Sequence, residues 1–460
     1  MSTPPAIGSP LLQAIEVEDL FGRFSYSIEV QDLSAKGSDE PRLMLLYGDN
    51  GAGKTTILQL VWHMLSPADR RGHRTAIAQV PFRRFCLRLS GKARIEAVKT
   101  AGLVGDFTVS VYDERRQTIN VEYAVDEQMA IKPFLPDLGD TEELFPGYVT
   151  DSRTRPNDDG PLLEYIRSLS VDPFFLADDR VIYNDELLED LYRHDPLQAR
   201  PVKREMPTPE KSRGRIALDV DVGMRRVADM LAVMTLGGQT TGSAGANSIY
   251  LEVLTRLAKS PKSVGESSVD LRRQIRDVGL QSERFEKFGL VPPFASRELS
   301  STVSRLPGDR RSIAEEILLP YLNSLRARLD ALHGAQSLIE TFTEQANGFL
   351  AGKTISYRPG TGFEIVTDDG IVLSASMLSS GERQLVLLLC NTLLASRSSR
   401  LFIIDEPEIS LNAKWQRKLI RALLACTRGS GVQFVVATHS IEILSAHRET
   451  LARLEPVTRD

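Results

Sequence analysis

The sequence is poor in cysteine, in long apolar runs and in net charge. Its 460 residues hold three cysteines, Cys86, Cys390 and Cys426. They lie far apart and no pair has metal-ligand spacing, which argues against a zinc site and against a disulfide framework. Cys390 and Cys426 fall in apolar helical patterns and read as core thiols, with a reducing cytoplasm as the default compartment. No window reaches about 18 consecutive apolar residues, so no membrane span is expected. The polar, Pro-rich N-terminus lacks a charged segment leading into an apolar one, so no signal peptide is expected either. Lys and Arg number 56 against 61 Asp and Glu, a formal net charge of −5. Binding to nucleic acid through overall charge is therefore disfavoured, although a local basic groove stays open. The six histidines are scattered and form no nuclease constellation. No internal repeat and no sustained heptad is present, which excludes a long coiled coil.

What is present is an ordinary globular composition, 42% hydrophobic and 25% charged. At roughly 150 residues per domain the length predicts about three domains. Residues 13–33 alternate around Gly22 and read as a β-hairpin. RLMLLY (42–47) is a short buried strand, followed by a glycine-rich loop and a helix from Lys54 to Leu65. Strands follow at 84–89 and within 93–124, and 171–176 reads as another buried strand. The stretch 195–215, with four prolines, and the stretch 237–246 read as flexible pieces. Helical patterns cover 222–236, 248–259, 268–288 and 312–350. From 353 two or three strands turn at Pro359-Gly360 and at Asp368-Asp369-Gly370. Then helix, strand 401–405, helix, strand 432–438 and helix alternate, which implies a parallel sheet covered on both faces.

Four motifs carry chemistry. Gly48-Asp49-Asn50-Gly51-Ala52-Gly53-Lys54-Thr55 fits GxxxxGK[ST] between a strand and a helix. Its glycines let backbone N–H groups converge on phosphates, Lys54 reaches the β and γ oxygens, and the Thr55 hydroxyl is placed for Mg2+. Thr56 completes the ATP-binding set. The strand 401–405 ends in Asp405 and Glu406. Asp405 is placed to hold the Mg2+ shell, and Glu406 to orient and deprotonate the attacking water. Ser379-Ser380-Gly381-Glu382 opens the helix before that strand, as an anion-binding helix start or as a plain N-cap. His439, in ATHS, follows a buried strand.

LSSGERQ resembles the signature of ABC-type ATPases, an AAA family branch of the P-loop NTPases. The order phosphate loop, signature, acidic strand and histidine is similar to that superfamily. The resemblance implies an α/β head, a mixed sheet flanked by helices plus an N-terminal antiparallel β subdomain, with a helical domain inserted. It divides the chain into 1–190 and 346–460 as the split head and 191–345 as a mainly helical insertion. It implies a Mg2+-dependent ATPase with Lys54, Glu406 and His439 catalytic, His439 sensing the γ-phosphate. Ser379, Ser380, Gly381 and Glu382 would act in trans, closing over ATP on a second copy in a homo-oligomer.

The long separation of Lys54 from Ser380 resembles the SMC, RecF and overcoming-lysogenization-defect branch rather than transporter subunits. Leu20–Tyr26, Pro173–Arg180 and the run from Leu401 to Ile420 are similar to the compact members, including ATPase subunits of anti-phage systems of the PARIS and Septu type. With only a short stretch after His439, no fused nuclease is expected. The resemblance therefore implies a sensor-scaffold ATPase that holds and releases a separate nuclease effector, with a phage-encoded trigger and DNA as further partners. A RecF- or SMC-like ATPase of DNA repair is the alternative, with Arg83, Arg84, Arg88, Lys92 and Arg94 as a basic stripe or a solvated strand face. Asn412 stands where relatives commonly carry His, which leaves a cross-dimer contact there open. Gln79, or Arg180 and its neighbours, would take the place of a glutamine loop. Phe24 or Tyr26 would stack on adenine or fill the hairpin core.

Overall fold

The computed structural model describes residues 12–29, 42–69, 71–113, 116–131, 158–178, 182–183, 220–236, 268–396 and 400–455. The expected flexible pieces at 195–215 and 237–246 and the helix at 248–259 lie outside the described residues. The chain forms two compact units, one from Met1–Met206 with Ala395–Asp460, the other from Pro207–Leu394.

In the first unit, β1 (Leu12–Leu20) and β2 (Phe24–Glu29) form the expected antiparallel hairpin. Then come β3 (Arg42–Tyr47), α1 (Lys54–Leu65), α2 (His73–Gln79), β4 (Arg84–Leu89), β5 (Arg94–Lys99), β6 (Phe107–Asp113) and β7 (Arg116–Tyr123). α3 (Gly160–Ser168), β8 (Phe174–Leu176) and β9 (Ile182–Tyr183) follow. The second unit holds α4 (220–236), α5 (Ser268–Glu286), α6 (Ser296–Arg305), α7 (Gly308–Asn347), β10 (Lys353–Arg358), β11 (Gly362–Thr367), β12 (Val372–Leu373) and most of α8 (Ser380–Ala395). The chain returns to the first unit with β13 (Leu401–Asp405), α9 (Ala413–Cys426), β14 (Gln433–Ala437), α10 (Ile441–Ala446) and β15 (Leu451–Arg453).

The first unit has two sheets. One is antiparallel in the order β2-β1-β4-β5-β6-β7. The other runs β15-β3-β14-β13-β8-β9 and is parallel except at β9. β13 and β14 are buried at every residue, as strands covered on both faces should be. β8 is shorter than the expected strand 171–176, because Pro173 has no N–H to give a ladder and Asp172 sits at φ 31°. One apolar core joins both sheets and α1, from Phe85 and Leu87 through Ile57, Leu58 and Val61 to Leu401, Ile403 and Val435.

A single buried amide ties the sheets together. Gln433 Nε2 donates to the Leu12 carbonyl at 2.8 Å, and its Oε1 accepts from the Leu12 N–H at 2.8 Å. The outer face of the antiparallel sheet carries a charge lattice. Arg84 pairs with Glu16, Glu18 and Glu96, Arg88 with Glu16 and Glu29, and Arg94 with Glu96. Three of the five cations of the expected basic stripe are thus neutralised by glutamates of the same face. Cys86, Cys390 and Cys426 are all buried, and burial pushes the Cys86 and Cys426 thiols up to about 12, far from reactive.

The units divide elsewhere than the boundary at 345 expected from sequence. Residues 346–394 group with the helical unit, and local contacts within that unit explain it. Asn347, at the end of α7, brackets Ile355 of β10, its Oδ1 accepting from the N–H and its Nδ2 donating to the carbonyl at 2.9 Å. The Phe342 ring packs on Phe363 of β11, and a Cβ on Gly223 of α4 would lie 3.3 Å from the Cβ of Cys390 in α8.

Gln433→Leu keeps the volume but orphans two buried backbone groups. It is expected to lower stability by about 2–5 kcal/mol in urea unfolding. A loss under about 0.5 kcal/mol would show that the amide does not hold the sheets together.

Candidate functional site

The phosphate loop leaves β3 and enters α1 through Gly51 at φ 80° and Gly53 at φ 88°. This left-handed region is costly for other residues, and a Cβ on Gly53 would also come within 2.6 Å of Leu20 Cδ2. Gly53 is the N-cap of α1, which has no side-chain cap and no acid in its first turn. Its leading N–H groups are therefore open to an anion. Lys54 is buried, and its Nζ donates to the Gly48 carbonyl at 2.8 Å and the Asp49 carbonyl at 3.1 Å. Burial lowers its pKa, while Glu406, Asp405, Asp49 and Glu408 pull the other way. An uncapped helix start, two left-handed glycines and a buried ammonium fit a polyphosphate.

Asp405 and Glu406 stand at the carboxyl end of β13, next to β14, which leads into His439. Asp405 is buried, and neither carboxylate oxygen has a hydrogen-bond partner. Burial pushes its pKa up to about 6, the Thr55 hydroxyl beside it favours the charged form, and Asp178 and Glu406 disfavour it. A buried carboxylate with no regular hydrogen bond and a single hydroxyl, that of Thr55, acting on it as donor fits a hard divalent cation, with Thr55 and Asp405 as its protein ligands. Glu406 takes φ 46° and its N–H donates to the Ala437 carbonyl at 2.9 Å. Its Oε1 lies 3.1 Å from His439 Nε2, and both side chains are about one-third exposed, at 30% and 32%. Lys54, Thr55, Asp405, Glu406 and His439 therefore share one edge of the parallel sheet, where ligands of open α/β sheets bind.

Ser379, Ser380, Gly381 and Glu382 belong to the second unit, and the loop Gly48–Thr56 to the first. There they form a capped helix start. Glu382 Oε2 accepts from the Ser379 N–H at 2.8 Å, Ser379 Oγ accepts from the Glu382 N–H at 3.3 Å, and Lys353 Nζ pairs with Glu382 at 3.1 Å. These donors outweigh burial and lower the Glu382 pKa.

At several positions the sequence leaves more than one reading open, and others escape it. Asn412 is the N-cap of α9, its side chain accepting from the Trp415 N–H at 3.0 Å. Tyr26 is a core residue and Phe24 stacks on it at 5.8 Å. Gln79 is exposed at the end of α2. Asp178 follows β8, the neighbour of β13, and acts electrostatically on Asp405. Asp179 and Arg180 lie outside the described residues. Glu408 and Gln416 hold the His439 loop, and only a third acid after Asp405-Glu406 hinted at this.

Residues 250–445 match the family model described as "AAA domain, putative AbiEii toxin, Type IV TA system". No curated protein matches the chain. Among solved structures it is similar to the Smc head domain with an extended coiled coil bound to the C-terminal domain of ScpA, from Pyrococcus furiosus. The identity is 10%, covering 96% of this chain and 95% of that one, with a TM-score of 0.39. It is also similar to an SMC head domain from Thermotoga maritima, at 11% identity, 97% and 99% coverage and a TM-score of 0.33. These scores are too low to carry a function across.

Asp405→Asn removes a buried charge. The raised pKa means that the folded state binds the proton more tightly than the unfolded state between pH 3.8 and about 6, so folding loses stability as pH rises through that window. In metal-free buffer at pH 8 the variant is expected to be more stable, by on the order of 2–3 kcal/mol. The gap should close as pH falls through 6 towards 4. Thermal melts showing no gain at pH 8 would contradict an unpartnered buried carboxylate.

Proposed function

We propose that this chain is a Mg2+-dependent ATPase of the ABC type. The observation that carries the proposal is the convergence of Lys54, Asp405, Glu406 and His439 on one strand edge. The metal ion supplies charge neutralisation at the phosphates. Gly48–Thr56 bind the triphosphate, with Lys54 against the β and γ oxygens. Glu406 takes a proton from water as the water oxygen bonds to the γ-phosphorus and the bond to the β–γ bridging oxygen breaks. His439, 3.1 Å from Glu406, orients that carboxylate towards the γ-phosphate.

The same reading extends to assembly. Ser379–Glu382 form a capped helix start able to face a nucleotide on a second copy, so that heads pair through ATP. We read the chain as a cytoplasmic sensor-scaffold of an anti-phage complex that holds a separate nuclease effector and answers a phage-encoded trigger. The toxin wording of the family that matches 250–445 supports a defence role. A DNA-repair ATPase is less favoured, because Arg84, Arg88 and Arg94 are ion-paired on their own sheet. Among the described residues no helix is long and apolar enough to cross a membrane.

Two variants test this. Lys54→Ala is expected to abolish binding of a fluorescent ATP analogue. Glu406→Gln is expected to keep binding, to lose about 10²–10⁴-fold in turnover, and to shift the particle mass upward with ATP. Wild-type turnover in Glu406→Gln would remove the ATPase mechanism, and an unshifted mass would remove the paired heads.

A further inference from the structure

Glu408 lies two residues past Glu406 and is 9% exposed. Its Oε1 accepts three hydrogen bonds from one loop, from Thr438 Oγ1 at 2.6 Å, the His439 N–H at 2.7 Å and the Ser440 N–H at 3.0 Å. Ser440 is held from a second side, its Oγ donating to Gln416 Oε1 at 2.8 Å while capping the Ile443 N–H at 3.1 Å. Gln416 Nε2 in turn donates to the Leu411 carbonyl at 2.8 Å. Glu406 and Glu408 share one tight turn, in which Ile409 N–H donates to the Glu406 carbonyl and Leu411 N–H to the Glu408 carbonyl. We infer that Glu408 is the positioning residue of His439: one turn after β13 carries the carboxylate that faces His439 Nε2 and the carboxylate that fixes the backbone from which His439 projects.

The loop is held by a side-chain acceptor oxygen at this position. Three donors of the loop 438–440 converge on one carboxylate oxygen, although the Ser440 N–H also reaches Thr438 Oγ1 at 3.0 Å, and charge-assisted bonds are short and directional. Glu408 touches no reacting atom in this arrangement and works through His439. Its charge also acts on Lys54, but less than those of Glu406, Asp405 and Asp49, so its loss should leave ATP affinity nearly unchanged, whereas loss of His439 placement shows in turnover. The role presupposes the ATPase reading above.

Steady-state hydrolysis by the full chain tests it. Glu408→Ala is expected to lower kcat at least about tenfold with KM for ATP within about twofold. On a His439→Ala background the same change should cost less than about twofold more. Glu408→Gln, which keeps an acceptor oxygen, should recover most of kcat. Thr438→Val, which removes one donor, should lower kcat about threefold and serves as the test if Glu408→Ala does not fold. Unchanged kcat in Glu408→Ala, an equal loss with and without His439, or unchanged kcat in Thr438→Val overturns the role. Equal turnover by wild type and Glu406→Gln would instead sink the ATPase reading, and the Glu408 role with it.

Discussion

Asp405 sits at the end of a strand whose every residue is buried, and neither of its oxygens makes a regular hydrogen bond, the Thr55 hydroxyl alone standing beside it as a donor. Folding would discard such a group if stability alone were selected, because a desolvated charge without partners opposes the packed state. The rest of the first unit is arranged around that charge. β14 and β8 flank its strand in register, β8 leading into Asp178, and α1, which follows β3 on the far side of β14, brings Thr55 and Lys54 to the same end of the sheet. A cation at Thr55 and Asp405 would satisfy the carboxylate and tie a polyphosphate to the loop, so the defect in the protein alone becomes the binding energy of the complex.

Around this carboxylate the polar contacts form two layers. Glu406 and His439 face each other at the sheet edge, partly open to solvent. Behind them Glu408, Thr438, Ser440 and Gln416 form a connected, mostly buried set. Groups that must meet solvent and substrate stay accessible, while the groups that aim them are locked by short bonds. Strain sits at the junction, with Glu406 in the left-handed region directly after Asp405.

Much of this was legible in the sequence, for local reasons. The phosphate loop writes its geometry into adjacent residues, so Gly51, Gly53, Lys54 and Thr55 could be read directly. Unbroken apolar runs at 42–47 and 401–405 gave buried parallel strands, and the alternation around Gly22 gave the hairpin. Glu408 was not legible as a partner of the His439 loop, because that contact depends on the register of β13 against β14. Asp178 depends likewise on β8 lying beside β13. The cations of β4 and β5 could be counted, but Glu16 and Glu18, which neutralise them, lie on a strand distant in sequence. The unit boundary moved because Asn347 fastens α7 to β10, a contact that composition does not signal.

Under the function proposed above, Asp405 would hold a metal ion beside bound ATP. Mn2+ binding to the full chain in the presence of ATP, followed by electron paramagnetic resonance, tests it most directly. Wild type is expected to take up one ion per chain, and Asp405→Asn to bind it at least about tenfold more weakly. Equal Mn2+ affinity in the two proteins would contradict the claim.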